Sequence, residues 1–281
     1  MAIISRRGKE RLIKYLCFLV TTVAVIPLLW IIGEVVVNGV SAINLEFLTS
    51  LPAPFGESGG GIGNAILGTM IINAMACLFG IPVGILTGMH LSEYDLTSRL
   101  GAVVRTVVES LSGVPSIIFG IFAYSLIVLT VRHYTAIAAA FALGLMMIPL
   151  VAKATEESMR VVSNDIREAA TALGIPKWIR TTKIVLSIAK GGVLTGCLLA
   201  FARISGETAP LLFTSLFSFF WPTGIDQPMA SLQVLIYNYA MSGFENWILK
   251  AWGASLLLVI IVVSINVLVR SLTKPKYKGG A

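Results

Sequence analysis

The chain has 281 residues, 56% hydrophobic and 12% charged, with a mean hydropathy of +0.88. Soluble domains are nearer roughly 45–50% apolar with about a quarter of their residues charged, so this composition excludes a soluble globular protein and describes an integral membrane protein. The formal charge of +7 is then a statement about topology and not a nucleic-acid footprint. Cys17, Cys77 and Cys197 all fall in apolar runs and read as small buried hydrophobes, with no disulfide framework or metal site.

Residues 1–14 carry Arg6, Arg7, Lys9, Arg11 and Lys14, and a charge-free run from Tyr15 to Gly33 follows. That run can cross a hydrocarbon core about 30 Å thick. It is too long for a signal-peptide core and no small-x-small cleavage site follows, so an uncleaved first span is expected. Residues 41–61 are a polar Gly/Pro-rich loop. Its Gly59-Gly60-Gly61 and Gly63 invite a phosphate-loop reading, but no Gly-Lys-Ser/Thr follows, and a tight bend entering the next span is preferred.

A second span is expected within Asn64 to Met89. Gly80, Gly84 and Gly88 fall four apart on one stripe, a spacing that lets another helix backbone come close. Pro82 is expected to bend the helix. A polar link with Glu93, Asp95, Arg99 and Arg105 leads to a third span from about Val107 to Val131, with Gly113 and Pro115 near its start. Arg105 and Glu109, four apart, read as a snorkelling surface pair. Arg132 and His133 make a short turn, and the fourth span runs from about Tyr134 to Ala152. His90 and His133 read as interfacial residues.

The long polar segment 153–190 follows, then a fifth span from about Gly191 to Leu216 and a non-basic loop, 217–247. In that loop Leu232, Leu235, Ile236 and Tyr239 suggest a helix resting on the outer surface. The sixth span covers about Ile248 to Val269, and Arg270, Lys274, Lys276 and Lys278 close the chain. The N-terminus, the 92–106 link, segment 153–190 and the tail hold 5, 2, 7 and 4 Lys/Arg, together 18 of 21. The opposite loops hold only Arg132. Six spans with both termini cytoplasmic is the topology this asymmetry predicts.

The stretch Asn164–Pro176 is a short polar segment between long apolar ones. Asp165 with Glu168 three residues later reads as a capping box, and Gly174 with Pro176 beyond it reads as a stop. The helix between has one apolar face, Ile166, Ala169, Ala170 and Leu173, and is too short to be stable alone. Either a partner docks on that face or the helix lies on its own membrane domain. Glu168-Ala169-Ala170, three residues, then Gly174 resembles the EAA loop of ABC-importer permeases. In that family the loop forms a coupling helix seated in a groove of the cytoplasmic ATPase. The resemblance assigns coupling to Asp165, Arg167, Glu168, Ala169, Ala170, Leu173 and Gly174.

Arg203 lies in F-A-R-I-S-G-E-T-A-P within the fifth span, where an arginine at the bilayer centre costs roughly 2.5–3.5 kcal/mol or more. Glu207, four residues on, is expected on the same helix face. Gly206 and Pro210 mark a soft point. Two readings are open. One is a substrate path in which Arg203 binds an oxyanion through its planar fork, with Ser205 and Thr208 adding hydroxyl donors. The other is a structural ion pair between helices.

The runs G-E-T-A-P-L-L-F-T (Gly206–Thr214), S-G-V-P-S-I-I-F-G (Ser112–Gly120), R-E-A-A-T-A-L-G (Arg167–Gly174) and Gly59–Thr69 are together similar to permease subunits of bacterial phosphate ABC importers. The resemblance implies an all-α, six-span, MetI-like fold in the bacterial inner membrane. It divides the chain into an N-terminal part at 1–61, a transmembrane domain at 62–272 with the coupling loop 153–190, and a basic tail at 273–281. It also implies a second permease subunit, an ATPase dimer and a periplasmic phosphate-binding protein, with no catalytic site or cofactor in this chain and ATP and Mg held by the ATPase. One departure is visible. Many EAA loops carry a proline about a dozen residues after the glycine, where Ser187-Ile188-Ala189 stands here. A permease for another tetrahedral oxyanion (phosphonate, sulfate or molybdate) is the nearest rival. A self-powered secondary transporter should show paired broken helices, and a membrane enzyme should show a His, Asp or Cys cluster within its spans; no clear case of either is visible.

Overall fold

The computed structural model describes residues 6–54, 57, 59–93 and 99–273. Ser58, Asp95 and the tail from residue 274 lie outside the described residues. Eleven helices carry the architecture of that part: α1 (Arg6–Gly39), α2 (Leu45–Thr49), α3 (Gly63–Glu93), α4 (Arg99–Ser112), α5 (Ser116–Val131), α6 (Ala136–Arg160), α7 (Asn164–Ala172), α8 (Lys177–Ile204), α9 (Ala209–Thr214), α10 (Leu232–Ala240) and α11 (Glu245–Thr273). Helices α1, α3, α6, α8 and α11 are each long and apolar enough to cross a membrane. A sixth crossing exists only if α4 and α5 count as one span, and these two meet at 105°. The expected third span, Val107 to Val131, is thus not one continuous helix. Gly113-Val114-Pro115 separates the pair, because Pro115 has no N–H for a continuing helix and restricts the residue before it. Helix α4 is amphipathic and α5 is apolar all round, so they suit different surroundings.

The core is the pairing of α3 with α6. The glycine stripe faces α6: a Cβ on Gly80 would lie 2.8 Å from the Gly144 carbonyl oxygen, and one on Gly88 would lie 2.4 Å from that of Ala152. The backbones therefore approach as the spacing predicts. Helix α3 remains helical through Pro82. Leu143, Met147 and Val151 of α6 are fully buried, with Ile72 of α3 and Ile204 of α8 in the same cluster. Helix α1 stands apart. The most apolar stretch of its span is unburied in the isolated chain, and it meets the body chiefly through α11. Cys17 is accordingly exposed, contrary to the expectation of a buried thiol, while Cys197 is buried and Cys77 half-buried.

The expected tight bend forms at Gly59–Gly61, while Leu45–Thr49 within the expected loop is helical as α2. Pro52 and Gly60 make an antiparallel bridge. Glu46 Oε1 accepts from the Gly60 N–H at 2.9 Å, and the Asn246 side chain donates to the Glu57 carbonyl at 2.6 Å. Lys250 is buried at the start of α11 and donates to the Gly59 carbonyl. Helix α10 is not a surface helix. Leu232, Leu235 and Tyr239 are buried with Trp247, and the Thr69 hydroxyl accepts the Leu232 N–H at 2.8 Å. Its one apolar face was legible, but α3 and α11 cover it.

Candidate functional site

The segment expected to couple folds as α7, with its start shifted from the expected capping box. Ser163 is the cap: its hydroxyl accepts the Asp165 N–H at 3.2 Å and donates to the Asp165 carboxylate at 3.0 Å. Helix formation begins at Asn164, so Asp165 sits inside the first turn and cannot be the cap. The end is as expected. Gly174 has φ +71°; its N–H reaches the Thr171 carbonyl at 2.9 Å, and the Ile175 N–H reaches that of Ala170 at 3.1 Å. Those two bonds make a Schellman stop.

The apolar face of α7 is divided between two directions. Ala170 is buried and Ile166 packs on the core, whereas Ala169 is exposed and Leu173 is 79% exposed. Glu168 also faces outward, and with Asn164, Arg167, Thr171, Ala172 and Arg180 it lines a shallow depression of about 430 Å³. Arg167 turns inward. Its Nε and Nη2 donate to Glu93 Oε1 at 2.8 and 2.7 Å, and Nη2 also reaches the Met159 carbonyl at 2.8 Å. Its Nη1 donates to the Val162 carbonyl at 2.5 Å and lies 3.4 Å from Asn164 Oδ1.

The fifth span ends earlier than expected. Helix α8 stops at Ile204, and the Ser205 N–H closes on the Phe201 carbonyl at 3.0 Å. Pro210 falls in the first turn of a separate helix, α9, where its missing N–H costs nothing. Arg203 and Glu207 therefore do not share one helix face, and among the described residues no ion pair joins them. Arg203 is exposed in the last turn of α8, where a cation complements the helix dipole. Glu207 and Thr208 are half-buried in the break. Ser205 is buried and engaged: its hydroxyl donates to Phe201 at 2.8 Å and accepts from the Asn73 amide at 3.1 Å, while Gln233 Nε2 reaches its carbonyl at 2.5 Å. Beside it a mostly apolar cavity of about 370 Å³ opens between α3, α8, α10 and α11, with Thr69, Asn73 and Ser205 its polar lining.

Sequence reasoning missed two buried carboxylates. Glu93, at the end of α3, pairs with Arg167 at 2.7 Å and lies 3.9 Å from Arg180. Glu156, on α6, takes Arg105 and Arg160, each at 2.7 Å. The expected Arg105–Glu109 pair is thus replaced, because a buried carboxylate on the neighbouring helix is a better acceptor than an exposed one on the same helix. At the foot of α8 the chain makes a π turn over Arg180–Val185 and continues as helix through Ser187-Ile188-Ala189, with no proline to interrupt it there.

The family profile described as "Binding-protein-dependent transport system inner membrane component" matches residues 80–274. A phosphate transport system permease protein PstA of Yersinia pestis is 40% identical over 265 residues, covering 94% of this chain and 90% of that protein. Its counterpart in Pasteurella multocida is 40% identical over 274 residues and 97% of both chains. Among solved structures, a chain of a bacterial alginate ABC transporter superposes with a TM-score of 0.68 at 14% identity over 100% of both chains. A chain of the MetNI methionine ABC transporter gives 0.64 at 18% identity over 75% of this chain and 94% of its own. The two structures bear on the fold alone, which is MetI-like. The matched profile and the length of the shared sequence together place the chain in the family of binding-protein-dependent transport system inner membrane components.

Proposed function

We infer that this chain is a permease subunit of an ATP-driven importer of inorganic phosphate, forming half of the translocation path. The observation that carries the reading is the 40% identity to PstA proteins along nearly the whole of both chains. The partners it implies are a second, PstC-like permease subunit, a PstB-like ATPase dimer and a PstS-like periplasmic phosphate-binding protein. The chain itself has no catalytic role and binds no cofactor; ATP and Mg belong to the ATPase. The Lys/Arg asymmetry supports an inner-membrane topology with α7 and both termini in the cytoplasm.

In this reading the outward side of α7, with Glu168, Ala169 and Leu173, meets the ATPase, while Ile166 and Ala170 hold the helix to its own domain. Nucleotide binding moves the docked helix and shifts the spans between outward- and inward-facing states. Phosphate passes the outer end of α8. There the exposed Arg203 offers two parallel hydrogen bonds to an oxyanion, and the Thr208 hydroxyl stands nearby in the chain. Glu207 offsets the positive charge, so the passage holds a phosphate dianion weakly and releases it. Ser205 shapes the break through bonds already made, and supplies no free donor.

The test is co-purification with the ATPase, then ATP hydrolysis in nanodiscs with the binding protein present. Stimulation by phosphate is expected. Equal or greater stimulation by sulfate, molybdate or a phosphonate, each with its own binding protein, would overturn the phosphate assignment.

A further inference from the structure

We propose that Glu93 is the latch through which movement of α7 reaches the membrane body, a positioning residue for transport that touches neither phosphate nor ATPase. The proposal rests on the importer reading above. Glu93 is the last residue of α3, and its side chain is 2% exposed. Two side chains from other elements converge on it. Arg167 of α7 donates twice to Oε1, and Arg180, in the π turn at the foot of α8, lies 3.9 Å from Oε2. Arg180 also donates to the Thr171 hydroxyl of α7 at 2.8 Å. A single carboxylate thus joins the coupling helix to two long helices.

Arg167 has five N–H donors. Two meet Glu93, two meet the Met159 carbonyl in the last turn of α6 and the Val162 carbonyl just beyond it, and one points to Asn164. Its side chain is 16% exposed. A guanidinium so fully engaged inward leaves no donor for an ATPase. It makes α7 rigid with respect to the ends of α3 and α6. Elsewhere, apart from the Arg180–Thr171 bond, α7 is held by Ile166 and Ala170, which are apolar contacts that can slide. Directional charge-assisted bonds resist such sliding, and their geometry fixes the orientation of both partners. Removing the Glu93 charge leaves Arg167 buried without its counter-ion, while the outward residues Glu168 and Leu173 are untouched. Docking should survive and transmission should not.

The experiment uses the full complex in proteoliposomes and reads ATPase co-purification, ATP hydrolysed and phosphate taken up in one preparation. Glu93→Gln should co-purify with the ATPase at the native ratio and hydrolyse ATP, yet carry at least tenfold less phosphate per ATP. Arg167→Lys should show the same uncoupling to a smaller degree, since one ammonium cannot replace the two-point contact. If Glu93→Gln fails to accumulate, Glu93→Asp carries the test, because the shorter side chain keeps the charge but withdraws it from Arg167. An unchanged ratio of phosphate to ATP would overturn the proposal, as would a loss of transport explained by lost ATPase binding. A native complex that phosphate fails to stimulate would refute the importer reading and take the latch with it. Native stimulation with an unaffected variant would refute the latch alone.

Discussion

Gly174 offers the sharpest separation of backbone conformation from contact. It has φ +71°, and a Cβ placed there would meet nothing within 4 Å. Substitution therefore carries no steric term within this chain, only the cost of holding an L-residue in the left-handed region, roughly 1–2 kcal/mol. Against the two Schellman bonds that end α7, a penalty of that size lowers the population of the correctly terminated helix by about 5–30-fold. Leu173, exposed and immediately before the stop, loses its position with it. Phosphate uptake and ATPase co-purification should therefore follow tolerance of positive φ: Gly174→Asn near native, Gly174→Ala reduced, and Gly174→Val lower still, since a β-branched residue is least at home there. Gly174→Asp shares the backbone tolerance of asparagine but adds a negative charge where the helix dipole is already negative, so uptake should be abolished with the spans still inserted. A ranking by side-chain bulk, with Asn below Ala, would refute the conformational argument and point to a packed contact at this position. Native activity in all four would show that the stop is dispensable.

Three further outcomes are expected. Ser163→Cys should be labelled from the cytoplasm and Ser218→Cys from outside; labelling of both from one side would end the proposed topology. Gly88→Leu should destabilise the protein by about 1–3 kcal/mol or more, seen as a lower Tm and lower yield, because its Cβ would fall 2.4 Å from the Ala152 carbonyl oxygen. Gly33→Leu, in open space on α1, should be neutral, and equal damage from both would discredit the close-packing account. Arg203→Gln should stop phosphate uptake without blocking assembly, and Arg203→Lys should recover little. Exchanging Arg203 and Glu207 should not rescue uptake, since the two are not paired; full uptake by Arg203→Gln or by the exchange would sink the anion-path reading.

What could be read from the sequence was what one-dimensional spacing encodes. The glycine stripe of α3, the stop at Gly174 and the spans bounded by charged ends are local patterns, and the structure contains them. The bend between α4 and α5 was half legible: Gly113 and Pro115 were visible, but nothing in the spacing says how far a chain turns at such a break. Pro210 shows a related ambiguity. A proline in a helix interior and one in a first turn look alike until the preceding stop is known, and that stop depends on Asn73 and Gln233 holding Ser205 from distant helices. The Glu93–Arg167 contact joins residues 74 apart, which no helical period predicts. Arg167 stands out in its motif as a charged residue, but only packing reveals that it faces the membrane body.

The turn at Gly113–Pro115 has a further consequence, for the lipid. At about 1.5 Å per residue, Ser116–Val131 is about 24 Å long, short of a hydrocarbon core of about 30 Å. Helices α3 and α8, at 31 and 28 residues, have length to spare. If α5 alone makes the sixth crossing, the bilayer facing it thins or its flanking Arg132 snorkels, at a cost of fractions of a kcal/mol per ångström. With α5 as that crossing, the flank it forms is shallower than the rest, and bilayers of short-chain lipids fit it with least distortion.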